Sequence, residues 1–143
     1  MSTSIRKRVA TVLTAAAVAT GAALTMGAGT ASAAPSATFS VGAMQSDGSR
    51  TITVKSGGTT AGTVKWTANG DKLTAADSKA DGYAISGYVT ADPYLIADTS
   101  GHNSPYTATA HRDLTEDRTY TFWACIGSNS AGLLCSNVYN VTS

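Results

Sequence analysis

His102 has Asp98, Ser100 and Ser104 within a few positions, the residue types of nucleophilic acyl transfer. A catalytic triad draws its members from separate parts of a fold, however, and often holds its serine on a strained Gly-x-Ser-x-Gly elbow. No such elbow occurs in the chain. Three polar types within one Gly-, Ser- and Asn-rich stretch therefore read as a solvated loop. Glycoside hydrolysis needs two carboxylates held on either side of a sugar. Glu116 is the one glutamate, and the eight aspartates stand nearly all in turn-like stretches, where Asp favours the bend. The run Asp77-Ser78-Lys79-Ala80-Asp81-Gly82 offers two carboxylates and a glycine. A calcium loop of the EF-hand type wants alternating ligands and a closing Glu, and Lys79 stands where a ligand should be. His102 and His111 are nine residues apart, with no thiol to spare, so zinc is not expected. The expectation is a protein that is not an enzyme, with no cofactor and no metal.

The compartment comes from the other end of the chain. Arg6-Lys7-Arg8 is followed by an apolar stretch from Val9 to about Met26, and no charged residue appears until Asp47. Ala31-Ser32-Ala33 fits the small-x-small pattern of a signal-peptidase site, so residues 1–33 read as a cleavable secretory signal. Gly21, Gly27, Gly29 and several threonines make the stretch a poor membrane anchor. Cleavage would leave residues 34–143, one domain of 110 residues. That domain keeps seven basic and nine acidic residues, a formal net charge of −2. It shows no cluster of Lys and Arg, which argues against nucleic acid as a partner. No membrane association is expected after cleavage. In an exported chain Cys125 and Cys135 pair as one disulfide.

The elements that must position these residues are strands. No helical periodicity follows residue 35. Short alternating runs rich in Thr, Val and aromatic residues are separated by turn residues, the pattern of an all-β domain. The runs fall near Phe39–Ala43, Thr51–Lys55, Thr63–Ala68, Leu73–Ala75, Tyr83–Thr90, Tyr94–Ala97, Tyr106–Ala110, Thr119–Ile126 and Leu133–Val141. Leu73–Ala75 is a weak run and Tyr94–Ala97 a short edge run, so the nine runs predict a sandwich of seven or eight antiparallel strands. Asn69-Gly70 is suited to a two-residue hairpin turn. Asp92-Pro93 ends a strand, because proline lacks the ladder donor.

A disulfide requires Cys125 and Cys135 to face each other, which sets the register of the last hairpin. That register places Ile126 opposite Leu134 and Phe122 opposite Val138. Tyr120, Phe122, Ala124 and Ile126 then share one face and form core. Trp123, Asn137, Thr121, Tyr139 and the disulfide share the other. Eight of the ten aromatic residues are Tyr or Trp, side chains that stack on sugars and anchor interfaces. Trp123, Tyr139 and Asn137 are accordingly the expected ligand-binding residues.

Leu114, the Tyr120 six residues later, and apolar Phe122 and Ala124 beyond it resemble the approach to the sixth strand of a fibronectin type III domain. Asn129-Ser130-Ala131-Gly132 looks like the turn after that strand. In this likeness Trp66 corresponds to the Trp of the second strand, and Tyr83 or Tyr88 to tyrosines of the third. The proline usual between the Leu and the Tyr is replaced by Thr115-Glu116-Asp117, and the hairpin disulfide is not a family feature. The resemblance implies an immunoglobulin-like sandwich whose corner Tyr hydroxyl bonds back to nearby backbone. The whole chain also resembles small proteins that actinobacteria secrete. Function is expected to be that of a secreted, extracellular, non-catalytic binding module with a polysaccharide or protein partner. The alternative is an inhibitor of an extracellular hydrolase, acting through the clamped loop Gly127–Gly132.

Overall fold

The structure, a computed structural model, describes residues 33–143. The signal segment expected at residues 1–33 lies outside the described residues except for Ala33. Two antiparallel sheets pack face to face. The first has the order β1 (Ala37–Val41), β2 (Arg50–Ser56), β3 (Thr59–Thr67), β4 (Lys72–Asp77) and β7 (Tyr106–His111). The second has the order β10 (Tyr139–Thr142), β8 (Thr119–Ser128), β5 (Ala84–Val89) and β6 (Leu95–Asp98), with β9 (Gly132–Cys135) also paired to β8. The all-β sandwich and the disulfide are as expected from sequence. The strand count is ten among the described residues, above the seven or eight predicted.

Alternation decides which side chains meet between the sheets. Ile52 and Val54 of β2, Val64 and Trp66 of β3, and Leu73 and Ala75 of β4 face Ile85 and Val89 of β5 and Phe122, Ala124 and Ile126 of β8. All are at most 1% exposed. Their intervening neighbours, such as Thr53, Lys65 and Thr74, turn outward. Trp66 is the largest fully buried side chain, and its indole N–H donates across the sandwich to the Thr142 carbonyl at 2.9 Å. A buried indole without that acceptor would lose a hydrogen bond it makes freely in water.

The β3–β4 turn departs from expectation. The strands close on the pair Thr67 and Lys72, leaving four residues between them. Gly70 and Asp71 take the positive φ values, 87° and 45°, and the Asp71 amide bonds to the Ala68 carbonyl at 3.0 Å. The loop is thus twice the expected length, and its positive φ begins one residue later than an Asn69-Gly70 turn requires. Asp71 is held there by long-range partners. Its carboxylate accepts from the Leu114 amide at 2.7 Å and from the Ser143 hydroxyl at 2.8 Å. At the same end of the sandwich the Tyr120 hydroxyl lies 3.2 Å from the Thr115 amide, which donates to it.

The last hairpin follows the predicted register only as far as the disulfide. Cys125 faces Cys135, Ile126 faces Leu134, and the bridge is formed, with Cα atoms 4.0 Å apart. Phe122, however, faces Tyr139 and not Val138. Ser136, Asn137 and Val138 lie outside both strands and take up one extra residue. Ser136 makes this possible. Its amide donates to the Ala124 carbonyl at 2.8 Å, while its hydroxyl accepts from the Ala124 amide at 3.1 Å, where the ladder would use a carbonyl. Because the side-chain period is two, one extra residue reverses the faces beyond it. Tyr139 therefore packs against the core, and Val141 is fully buried.

Ser136→Ala removes the acceptor of the Ala124 amide. Leaving that buried donor unpaired should lower stability by about 1–3 kcal/mol in chemical denaturation. A change within error would show that the hydroxyl does not hold the bulge.

Candidate functional site

The outer face of the second sheet carries a cluster of three aromatic residues, Tyr88, Tyr94 and Trp123. On β5 the inward positions are Ile85, Gly87 and Val89, and the outward ones are Ser86 and Tyr88. A Cβ at Gly87 would lie 2.4 Å from Val64 Cγ1, so only glycine admits this close approach of the sheets beside Tyr88. The register of β5 on β8 sets Tyr88 opposite Trp123. Their rings stack with centroids 5.2 Å apart and an interplanar angle of 9°. Tyr94 stands edge-on to Trp123 at 6.0 Å and 87°, and is itself 58% exposed.

A groove of about 750 Å³ opens beside this cluster. Ser86 and Tyr88 of β5 form its floor. One wall is the end of β6, which supplies Asp98, and the β6–β7 connection, which supplies Ser100, His102 and Asn103. The other is the tip of the β8–β9 hairpin, with Ser128, Asn129 and Leu133. Each wall is fastened locally. The Asp98 carboxylate accepts from the Ser86 hydroxyl at 2.9 Å, the Ser100 amide at 3.0 Å and the Ser100 hydroxyl at 2.6 Å. Further along, the Ser104 hydroxyl donates to buried Asp77. The hairpin wall is closed by the disulfide. β9 has all four residues exposed, so burial contributes little to holding it.

Partial burial works to raise the Asp98 carboxyl, but the Ser100 and Ser86 hydrogen bonds outweigh it and hold the group below the ordinary carboxylate range. Ser100 gives its hydroxyl proton to Asp98, not to a histidine. His102 instead stacks on Tyr106 with centroids 3.7 Å apart. The loop that sequence places near a Ser, His and Asp set thus holds its serine and histidine in separate contacts.

Two acidic clusters occur among the described residues. In the Asp77–Gly82 stretch, Asp77 accepts from the Lys79 amide and Ser104, while Asp81 accepts from the Tyr83 amide and lies 3.6 Å from Lys79 Nζ. Asp71, Asp113 and Glu116 bring carboxylate oxygens within 4.8 Å of one another, and each Asp71 oxygen accepts one protein hydrogen bond.

The three expected binding residues are not brought together. Trp123 lies on the outer face, half-buried between Tyr88 and Tyr94. Tyr139 lies on the opposite face of the sheet, packed against the core with the Arg50 guanidinium 5.0 Å from its ring centroid. The bulge is the reason. Asn137 is exposed within that bulge, outside any strand. Tyr88 and Tyr94 were missed by sequence reasoning. The alternation of Ile85, Gly87 and Val89 was the available signal for Tyr88, but its pairing with Trp123 is not written locally.

The Asp98 bonds predict a pH effect. A depressed carboxyl pKa contributes stability that is complete above the unfolded value, near 3.8, and is lost as pH falls through the lower folded value. The Ser100 amide resonance should shift with a midpoint below 3.8, and Asp98→Asn should abolish the transition. A midpoint above 3.8 would contradict the network. Reduction of Cys125–Cys135 should separately cost about 2–3 kcal/mol of stability, measured by denaturation with and without a dithiol.

Compared with protein-family models, curated proteins and solved structures, the chain matches none.

Proposed function

We propose that the chain is an exported, non-catalytic binding module of the immunoglobulin and fibronectin type III kind, whose ligand is a polysaccharide seated in the Tyr88 groove. The observation that carries this reading is the groove itself: an aromatic floor braced by Trp123, between walls rich in hydroxyl and amide groups. A pyranose ring presents apolar C–H groups on one face and hydroxyls around its rim. Tyr88 meets the first need, and Ser100, Asn103 and Asn129 meet the second. Walls fastened in advance bind with less ordering cost.

Three further features support the fold type and the compartment. The order β3-β4-β7 against β5-β8-β10 matches that of the first, second and fifth strands against the third, sixth and seventh in the immunoglobulin arrangement. The strands β1 and β2 then extend the first sheet. The bond from the Thr115 amide to the Tyr120 hydroxyl, at the start of β8, resembles a tyrosine corner. Trp66 departs from the family likeness, since it stands on the first matching strand and not the second. The disulfide is consistent with an extracellular location.

A protein ligand is favoured by one observation. Leu133 is 59% exposed and Leu134 37% exposed on the disulfide-closed hairpin, an apolar tip of the sort an inhibitor inserts into a hydrolase. Inhibition assays with extracellular proteases and amylases would test it. No inhibition by the oxidised protein across the panel rejects that reading.

The polysaccharide reading is tested by a glycan screen followed by titration of the best ligand. Tyr88→Ala should weaken binding about tenfold, equal to roughly 1.4 kcal/mol. A ligand whose affinity ignores Tyr88→Ala, in a variant that keeps its melting temperature, does not sit in this groove. If no polysaccharide binds at all, the reading is wrong.

A further inference from the structure

We propose that the groove selects a cationic sugar polymer, one built of glucosamine units with free amines; this rests on the polysaccharide reading above and names its ligand class. Two carboxylates line the groove, Asp77 and Asp98, and no Lys or Arg does. His102, the basic side chain that lines the groove, is stacked on Tyr106, and Lys79 lies outside the lining, where its Nζ donates to the Ser56 carbonyl at 2.9 Å and lies 3.6 Å from Asp81. Asp98 is fastened by neutral donors only, so its hydrogen bonds orient the charge without cancelling it.

The bonding also leaves room for a ligand. A carboxylate offers about four lone-pair sites, two on each oxygen. The Oδ1 atom takes the Ser86 hydroxyl and the Ser100 amide, whereas Oδ2 takes only the Ser100 hydroxyl. One acceptor site on Oδ2 remains. An ammonium group fills it with a charge-assisted bond, stronger than any that a sugar hydroxyl makes there. Tyr88 lines the same groove, so a ring stacked on it brings its amine toward Asp98. The formal charge of −2 on residues 34–143 adds a weaker, longer-range attraction. Polymers of uronic acids are repelled by the same charges. A lysine-rich peptide carries the ammonium but no ring for Tyr88.

The test titrates the oxidised protein with four probes at mildly acidic pH and low salt: a glucosamine hexamer, an N-acetylglucosamine hexamer, a galacturonate hexamer and hexalysine. The free-amine sugar should bind about fivefold tighter than its acetylated form, near the upper limit for a partly exposed ion pair. That preference should vanish in Asp98→Asn, which keeps a carbonyl acceptor for the Ser86 hydroxyl and the Ser100 amide, and should shrink at high salt. Equal binding of the two glucosamine forms, or tighter binding of galacturonate, overturns the cationic selectivity while leaving a polysaccharide site in place. Hexalysine binding tighter than the glucosamine hexamer overturns it in favour of a basic peptide. Failure of every sugar in this set and in the wider glycan screen overturns the polysaccharide reading itself.

Discussion

The extra residue between Cys135 and Tyr139 is the constraint on which the two ends of this sandwich depend. Before it, β9 pairs with β8 in the register that the disulfide demands. After it, β10 pairs with the same strand shifted by one. Carried through unbroken, the first register would turn Tyr139 and Val141 to the outer face. With the shift, Val141 is buried opposite Tyr120, and the Thr142 carbonyl lies within reach of the Trp66 indole. The final residue, Ser143, then meets Asp71, which also holds the Leu114 amide. One serine hydroxyl, standing in for a carbonyl at Ala124, makes all of this possible without leaving a buried donor unpaired.

The same irregularity shapes the candidate site. The lapse in pairing falls beside Trp123, whose ring is flanked by Tyr88 of β5 and by Tyr94. The hairpin beyond the lapse has little buried surface and relies on its disulfide. The opposite wall relies on Asp98 and on the bond from Ser104 to Asp77. Between them, β5 and β8 form the rigid centre of the sheet. Binding groups placed on central strands, with walls tied by short-range bonds, keep their geometry better than the same groups on free loops.

Alternation and the cysteine spacing are legible along the chain, whereas contacts between distant segments are not. Alternation identified Phe122, Ala124 and Ile126 as core, and the cysteine pair gave the register beside it. The run Leu133–Val141 reads as one strand because Leu133, Leu134, Val138 and Val141 keep it apolar and no Gly or Pro interrupts it. The break depends on what a serine hydroxyl does for an amide twelve residues earlier, which no periodicity reports. Tyr139 was misplaced for that reason. Asn69-Gly70 was read as a two-residue turn because its dipeptide signal is strong. Asp71 overrides it through partners 43 and 72 residues away. Tyr88 meets Trp123 across 35 positions of chain, and only the topology brings them together.

The aspartates show how few charges can serve both fold and site. Asp71 and Asp77 are 3% and 5% exposed, and their oxygens are directed at amides and hydroxyls that would otherwise be unpaired. Asp98 differs. It is exposed, and its serine donors are local to β5 and to its own turn. An asparagine carbonyl would keep the two bonds that Oδ1 accepts at a smaller desolvation cost, while its amide would meet the Ser100 hydroxyl as a donor. What the charge adds is a negative potential at the rim of an aromatic groove that no Lys or Arg lines, and a potential of that kind acts on whatever enters.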